Sequence, residues 1–209
     1  MEGQNNIHVY SSPSSGSNNG MVQTISRKLP FIITMKHNNW VMAIDPKIGY
    51  YIAGFADGEG SFNVSVIRRK DYTNGWKLVA SFSISQKDRV ILAFVKRTLR
   101  CGTLRERPDG VVYYEVTNVR SLQESIIPFF TRFRFLSARK KRNFLIFKTI
   151  IEAMTKNEHH TRQGLRKVLE WREKLNEDHG RNRKYQIQDV YQGGSSETIR
   201  GNRTESGMI

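Results

Sequence analysis

Two carboxylates close an unusual helix signal in Ile52-Ala53-Gly54-Phe55-Ala56-Asp57-Gly58-Glu59-Gly60. Asp45-Pro46 supplies an N-cap and a first-turn proline, and the glycines around Glu59 supply a stop, so the pattern predicts a helix from about residue 46 to 58. Gly54 and Gly58 stand four apart on one face, with Tyr51 a turn earlier. A glycine in a helix interior costs about 1 kcal/mol relative to alanine, so the pair points to a bare backbone that a second helix approaches closely. Two such helices side by side would bring Asp57, Glu59 and unbonded terminal carbonyls into one small volume, where the helix dipoles add negative potential. That cluster calls for a divalent cation.

The acids need a scaffold, and the chain after Gly60 changes from helical period to period two. Phe62, Val64 and Val66 alternate with Asn63, Ser65, Ile67 and Arg69; after a turn at Asp71, Asn74 and Gly75, Leu78, Ala80, Phe82 and Ile84 alternate with Lys77, Ser81 and Ser83. A second hairpin repeats the design, with Thr103, Arg105 and Arg107, a Pro108-Asp109-Gly110 turn, and Val112, Tyr114 and Val116 against Tyr113 and Glu115. One face of these strands is apolar and belongs to a core. The other carries arginine, lysine, asparagine, serine and tyrosine, side chains that reach phosphates and base edges.

Three helices are expected around the hairpins. Asp88 caps one to about Arg100, with Val90, Ile91, Phe94, Val95 and Leu99 as its buried stripe. Ser121 and Glu124 read as a capping box for a second, which carries Phe129 and Phe130 and tolerates Pro128 through a local bend. A basic stretch with Arg132, Arg134, Arg139, Lys140, Lys141 and Arg142 is then followed by a third, amphipathic run from Asn143 to Met154. A further helix from Thr161 to about Asn176 buries Leu165, Val168, Leu169, Trp171 and Leu175, and Arg172 is placed among its backbone-contacting cations. His159-His160 lacks partners at ligand spacing and is expected on the surface.

The formal charge of +15 and pI of 10.1 direct the surface toward polyanions, nucleic acid first, and no apolar run is long enough to imply a membrane partner. Cys101 is the single cysteine, which excludes an intrachain disulfide and a cysteine-rich metal site and fits a reducing compartment, either an organelle or a bacterial cytoplasm. Residues 1–28 are serine-, asparagine- and glycine-rich and read as disordered, 29–44 as an arm containing an extended Phe31–Met35 stretch, 45–178 as the domain, and 179–209 as a disordered polar tail.

The stretch from about Lys47 to Met154 resembles the LAGLIDADG homing endonucleases, in their single-motif, homodimeric branch. The resemblance rests on the nonapeptide running into Ser61-Phe62, then Ser85-Gln86-Lys87, Gly102-Thr103-Leu104-Arg105, Val112-Tyr113-Tyr114-Glu115-Val116, Ile126-Ile127-Pro128-Phe129-Phe130 and Arg139-Lys140-Lys141, in that order. It implies an α+β fold of αββαββα order, motif helices at a two-fold interface, and an antiparallel β-saddle over double-stranded DNA. With one motif copy, a homodimer would read a pseudo-palindromic site. Strands of about ten residues span roughly 33 Å, so the site is on the order of twenty base pairs.

The resemblance also implies roles. Glu59 and the Gly58 carbonyl would hold Mg²⁺ or Mn²⁺, Gln86 would position the attacking water, and Lys140, flanked by Arg139 and Lys141, would polarise the phosphate. Arg89 is a second basic candidate, although the family's usual position, four after the glutamine, is Val90 here. Asp57 is expected to serve its own subunit's structure. The product would be a double-strand break with short 3′ overhangs; the alternative is an RNA maturase that uses the same saddle on an intron.

Overall fold

The computed structural model describes residues 39–72, 75–177 and 183–192. Residues 1–28, the Phe31–Met35 stretch and most of the 179–209 segment therefore lie outside the described residues. The elements are α1 (Asn39–Met42), α2 (Pro46–Glu59), β1 (Gly60–Arg68), β2 (Trp76–Gln86), α3 (Arg89–Leu99), β3 (Thr103–Glu106), β4 (Val112–Val116), α4 (Val119–Ser121), a π-helical turn (Leu122–Ile126), α5 (Ile127–Arg132), α6 (Ala138–Thr155), α7 (Arg162–Lys174) and α8 (Ile187–Gln192). The four strands form one antiparallel sheet in the order β1-β2-β4-β3. Among the described residues no helix is long and apolar enough to cross a membrane.

Period-two patterning decides which face of the sheet is dry. Phe62, Val64, Val66, Leu78, Ala80, Phe82, Ile84, Val112, Tyr114 and Val116 are all buried beneath the helices. Phe62 sits in the middle of an aromatic cluster, with Phe82, Phe130, Phe135, Phe144 and Phe147 at centroid distances of 4.9 to 6.1 Å. Edge-on and offset contacts of this kind add about 0.5–1.5 kcal/mol per pair beyond the area they bury.

The helix signals hold in outline and fail in detail. Asp88 caps α3 through a 2.8 Å bond from the Val90 amide, but Val90 itself is 77% exposed and Leu92 takes its place in the buried stripe. The Ser121–Glu124 capping box does not form. Asn118 is the cap, accepting from the Ser121 amide at 3.0 Å, and Glu124 pairs with Arg120 at 2.9 Å. The chain then enters the π turn, where the Ile127 amide donates to the Leu122 carbonyl, five residues back. That change of register is how Pro128, which has no N–H to give, is accommodated at the start of α5.

The flanks also differ from expectation. Within the arm, residues 39–42 form a short helix; Val41 is buried and its carbonyl accepts from Arg132, while Arg100 lies 5.6 Å over the Trp40 ring. In the segment expected to be a disordered tail, residues 183–192 are folded and end in α8. Arg172 explains why: it is 4% exposed, donating to Val64 O at 3.2 Å and Tyr185 O at 3.0 Å, so it ties edge strand β1 to this segment instead of facing nucleic acid. Asn176 similarly donates to Phe62 O at 2.7 Å. Both side chains occupy outward carbonyls of an edge strand that would otherwise template foreign pairing.

Candidate active site and nucleic-acid interface

Helix α2 passes into β1 without a linker. The Gly60 amide still bonds back to Ala56 O while its backbone is already extended, and a Cβ at Gly60 would lie 2.5 Å from that oxygen, so only glycine makes the turn. The result places Glu59 at the rim of the sheet. The register Gly60↔Ile84 brings Gln86, the last residue of β2, to the same end. Gln86 accepts from the Lys87 amide at 2.9 Å.

The basic cluster reaches this junction through α6. Lys140 is only 8% exposed and its Nζ donates to the Gly60 carbonyl. Burial depresses its ammonium below the ordinary lysine value, Asp57 and Glu59 pull it back up, and Arg139 adds to the depression. Lys140, expected from the resemblance to polarise the phosphate, is joined to the acids electrostatically and fixed on the Gly60 carbonyl; Arg139 and Lys141 beside it are exposed. Asp57 is structural. Its carboxylate accepts from the Leu136 and Ser137 amides at 2.9 Å each and from the Ser137 hydroxyl, which locks α2 to the start of α6. Partial burial pushes this carboxyl up, but the Ser137 and Leu136 hydrogen bonds and the Lys140 charge outweigh it and hold it below the usual value.

Glu59 is exposed, with the Lys140 ammonium as a charged neighbour. The carbonyl of Gly58 is among the last of α2 and has no helical donor. An anionic oxygen beside a bare carbonyl is a donor set suited to a hard divalent cation. Among the described residues no three carboxylates, imidazoles or thiols gather as a metal cage. Arg89 ion-pairs with Glu106 at 3.4 Å, with both side chains more than half exposed; Glu106 and Gln86 both stand opposite Val112, so the pair lies at the same end of the sheet.

The open glycines lie on the outer face of α2. An added Cβ at Gly54 or Gly58 meets nothing within 4 Å, whereas one at Gly49 would fall 2.3 Å from the Phe133 ring. Gly49, which sequence reasoning passed over, is the glycine required inside the chain. Tyr51 is exposed on the same face as Gly54 and Gly58.

The sheet register confirms a common face for the polar strand residues. Cross-strand pairs Asn63↔Ser81, Ile67↔Lys77, Ser83↔Glu115 and Arg105↔Tyr113 align, and Ser65 stands opposite Val79. Ser81 is the exception to its expected use: it lies on this face but is 7% exposed, too short to rise above its neighbours. Arg69 and Arg107 flank the sheet. Each is held by an aspartate of its own hairpin, Asp71 at 2.7 Å and Asp109 at 3.3 Å, and Arg107 also donates to the Tyr113 hydroxyl at 2.6 Å. These surface pairs contribute little stability. They hold guanidinium groups ready at the two hairpin tips.

The family described as LAGLIDADG endonuclease matches residues 52–151. The chain is 33% identical over 157 residues to a probable intron-encoded endonuclease 2 of Neurospora crassa, covering 73% of this chain and 33% of that relative. It is 33% identical to an archaeal intron-encoded homing endonuclease, I-Vdi141I, solved in complex with DNA; the TM-score is 0.64, over 70% of this chain and 92% of that one. The chain belongs to the LAGLIDADG endonuclease family. Another solved structure, I-SmaMI bound to an uncleaved DNA target in the presence of calcium ions, is 30% identical with a TM-score of 0.60, covering 64% of this chain and 45% of its own. The chain thus spans about a third of the Neurospora relative and under half of I-SmaMI. The LAGLIDADG nonapeptide forms the C-terminal part of α2 and the first residue of β1, and its last acid is Glu59.

Proposed function

We propose that this chain is a site-specific DNA endonuclease that acts as a homodimer and makes a double-strand break with short 3′ overhangs in a pseudo-palindromic target of about twenty base pairs. The observation that carries the reading is Glu59: an exposed carboxylate at the sheet rim, beside a buried lysine and next to a helix face whose glycines are open. A second copy of α2 against Gly54 and Gly58 would bring a second Glu59 close by and complete the cluster that one chain leaves partial.

Glu59 and the Gly58 carbonyl would hold Mg²⁺ or Mn²⁺, which when bound supplies Lewis acidity toward the scissile phosphate. Lys140, anchored on Gly60, keeps the helix-to-strand junction rigid and offsets the negative charge of Asp57 and Glu59 before any cation arrives. Gln86 presents its amide at the same rim, where it can orient a water. Arg139 and Lys141 meet the phosphate backbone. Asn63, Ser65, Ile67, Lys77, Ser83, Arg105, Tyr113 and Glu115 face base edges, and Arg69 and Arg107 exchange their hairpin aspartates for phosphates. The test is Glu59→Gln, incubated with Mg²⁺ and a plasmid library: cleavage disappears while gel-shift affinity for the recovered target persists. Equal cleavage by this variant would overturn the assignment.

A further inference from the structure

The outer edge of β1 is held by side chains instead of a neighbouring strand. In the sheet order β1-β2-β4-β3, β1 pairs with β2 on one side, and among the described residues no strand pairs with the other. Backbone groups along an edge strand point alternately toward the neighbour and away from it. Three carbonyls spaced two apart on the outer side each accept from one side chain: Gly60 O from Lys140 Nζ, Phe62 O from Asn176 Nδ2 at 2.7 Å, and Val64 O from Arg172 Nε at 3.2 Å. Four residues of strand span about 13 Å, so β1 is gripped at regular intervals from the residue after Glu59 outward.

The donors are themselves fixed. Asn143, one turn after Lys140 on α6 and equally buried, donates to Asn176 Oδ1 at 2.8 Å and accepts from the Asn176 backbone amide at 3.2 Å. Asn176 has a φ of 58°, in the left-handed region that asparagine enters more readily than most residues. Arg172 is buried, and both of its terminal nitrogens donate to Tyr185 O at 3.0 Å. Water can satisfy the carbonyls of a sheet edge, and burying a guanidinium seldom adds net stability. Stability alone therefore gives no reason for a buried arginine and a left-handed asparagine at this edge.

What the arrangement fixes is the placement of side chains on the opposite face. Phe62 and Val64 enter the core, while Asn63 and Ser65, between and just beyond the held carbonyls, stand on the polar face across from Ser81 and Val79. The Ser65 hydroxyl donates to Val79 O at 3.4 Å and keeps its oxygen lone pairs for a donor from outside. A strand paired on one side can twist about its neighbour, and a binding constellation tolerates only about 0.5 Å of displacement. We propose that Asn176 and Arg172 are specificity-positioning residues: away from the DNA themselves, they hold Phe62 O and Val64 O and so set the height and angle at which Asn63 and Ser65 meet base edges. The inference rests on the reading of the polar sheet face as a DNA-binding surface.

The test separates base discrimination from stability. The target recovered from the plasmid library is altered one base pair at a time, and binding of the intact protein to each altered site is compared with binding to the matched one. Asn63→Ala, Ser65→Ala and Arg105→Ala first mark the base pairs that β1 and β3 read. Asn176→Gly keeps the left-handed backbone and deletes the donor to Phe62 O; it should reduce discrimination about threefold or more at the β1 base pairs and leave the Arg105 base pair within about twofold of wild type. Arg172→Lys, whose single nitrogen cannot serve Val64 O and Tyr185 O as the guanidinium does, should act alike and replaces Asn176→Gly if that variant does not fold. Leu165→Ala, a cavity two turns before Arg172 in α7, is the control: its melting temperature falls while its discrimination is unchanged. Relaxation of the β1 base pairs in Leu165→Ala as well, or unchanged discrimination in Asn176→Gly and Arg172→Lys while the wild type keeps its preference, overturns the inference and leaves the endonuclease reading standing. A wild-type chain without base preference overturns both.

Discussion

Replacing Gly54 by alanine should make the monomer more stable and the enzyme less active, an opposition that few substitutions produce. Nothing lies within 4 Å of a Cβ at this position, so alanine meets no obstacle inside the chain. The unfolded chain loses freedom and the helix interior gains propensity, together about 0.4–1 kcal/mol. For a domain of this size that raises the melting temperature by roughly 1–4 °C, measured at a protein concentration low enough to keep the chain monomeric. In the proposed dimer the same methyl would enter the contact between two α2 helices, and the bulkier Gly54→Leu should weaken association by about tenfold or more in sedimentation equilibrium, with cleavage falling in parallel. Gly49→Ala is the internal contrast, because its Cβ would sit 2.3 Å from the Phe133 ring and should destabilise by about 1–3 kcal/mol through overpacking. If Gly54→Ala lowers monomer stability, or Gly54→Leu leaves dimer affinity unchanged, the glycines are not there for a partner helix.

Three further outcomes follow from the same contacts. Asp57→Ala should cost about 1–2 kcal/mol in urea unfolding, the low end for hydrogen bonds to a charged group because the site is partly exposed. Since the folded Asp57 pKa is below 3.8, its contribution is present above that value and lost as pH falls through the folded pKa, so the variant should show a shallower stability loss on the acid side of 3.8. Arg172→Ala should destabilise by about 2–4 kcal/mol and expose residues 183–192 to limited proteolysis, because Val64 O and Tyr185 O both lose their donor. Arg105→Ala should relax preference at one base position in each half-site in a mismatch-library selection, whereas Lys141→Ala should weaken all sequences alike and flatten the salt dependence.

Short-range signals in the sequence settled much of this protein. Period-two alternation fixed the dry and polar faces of all four strands, since side chains on a strand can only alternate. Asp45-Pro46 fixed where α2 begins, and the resemblance of the nonapeptide and its downstream motifs singled out Glu59. Other features were decided by tertiary contacts that no local pattern carries. Gly49 and Gly54 are the same residue type on one helix, yet one is filled by Phe133 from more than eighty residues away and the other is open. Lys140 looks like one more cation in a basic run, and only the approach of α6 to Gly60 turns it into the buried one. Ser121 had the spacing of a cap and lost to Asn118, because the chain needed a π turn ahead of Pro128. Arg172 and the folded 183–192 segment were hidden for the same reason: the edge carbonyls they satisfy are over a hundred residues earlier in the chain. Sequence spacing reports what neighbours along the chain can do, and burial, register and edge satisfaction arise only when distant segments meet.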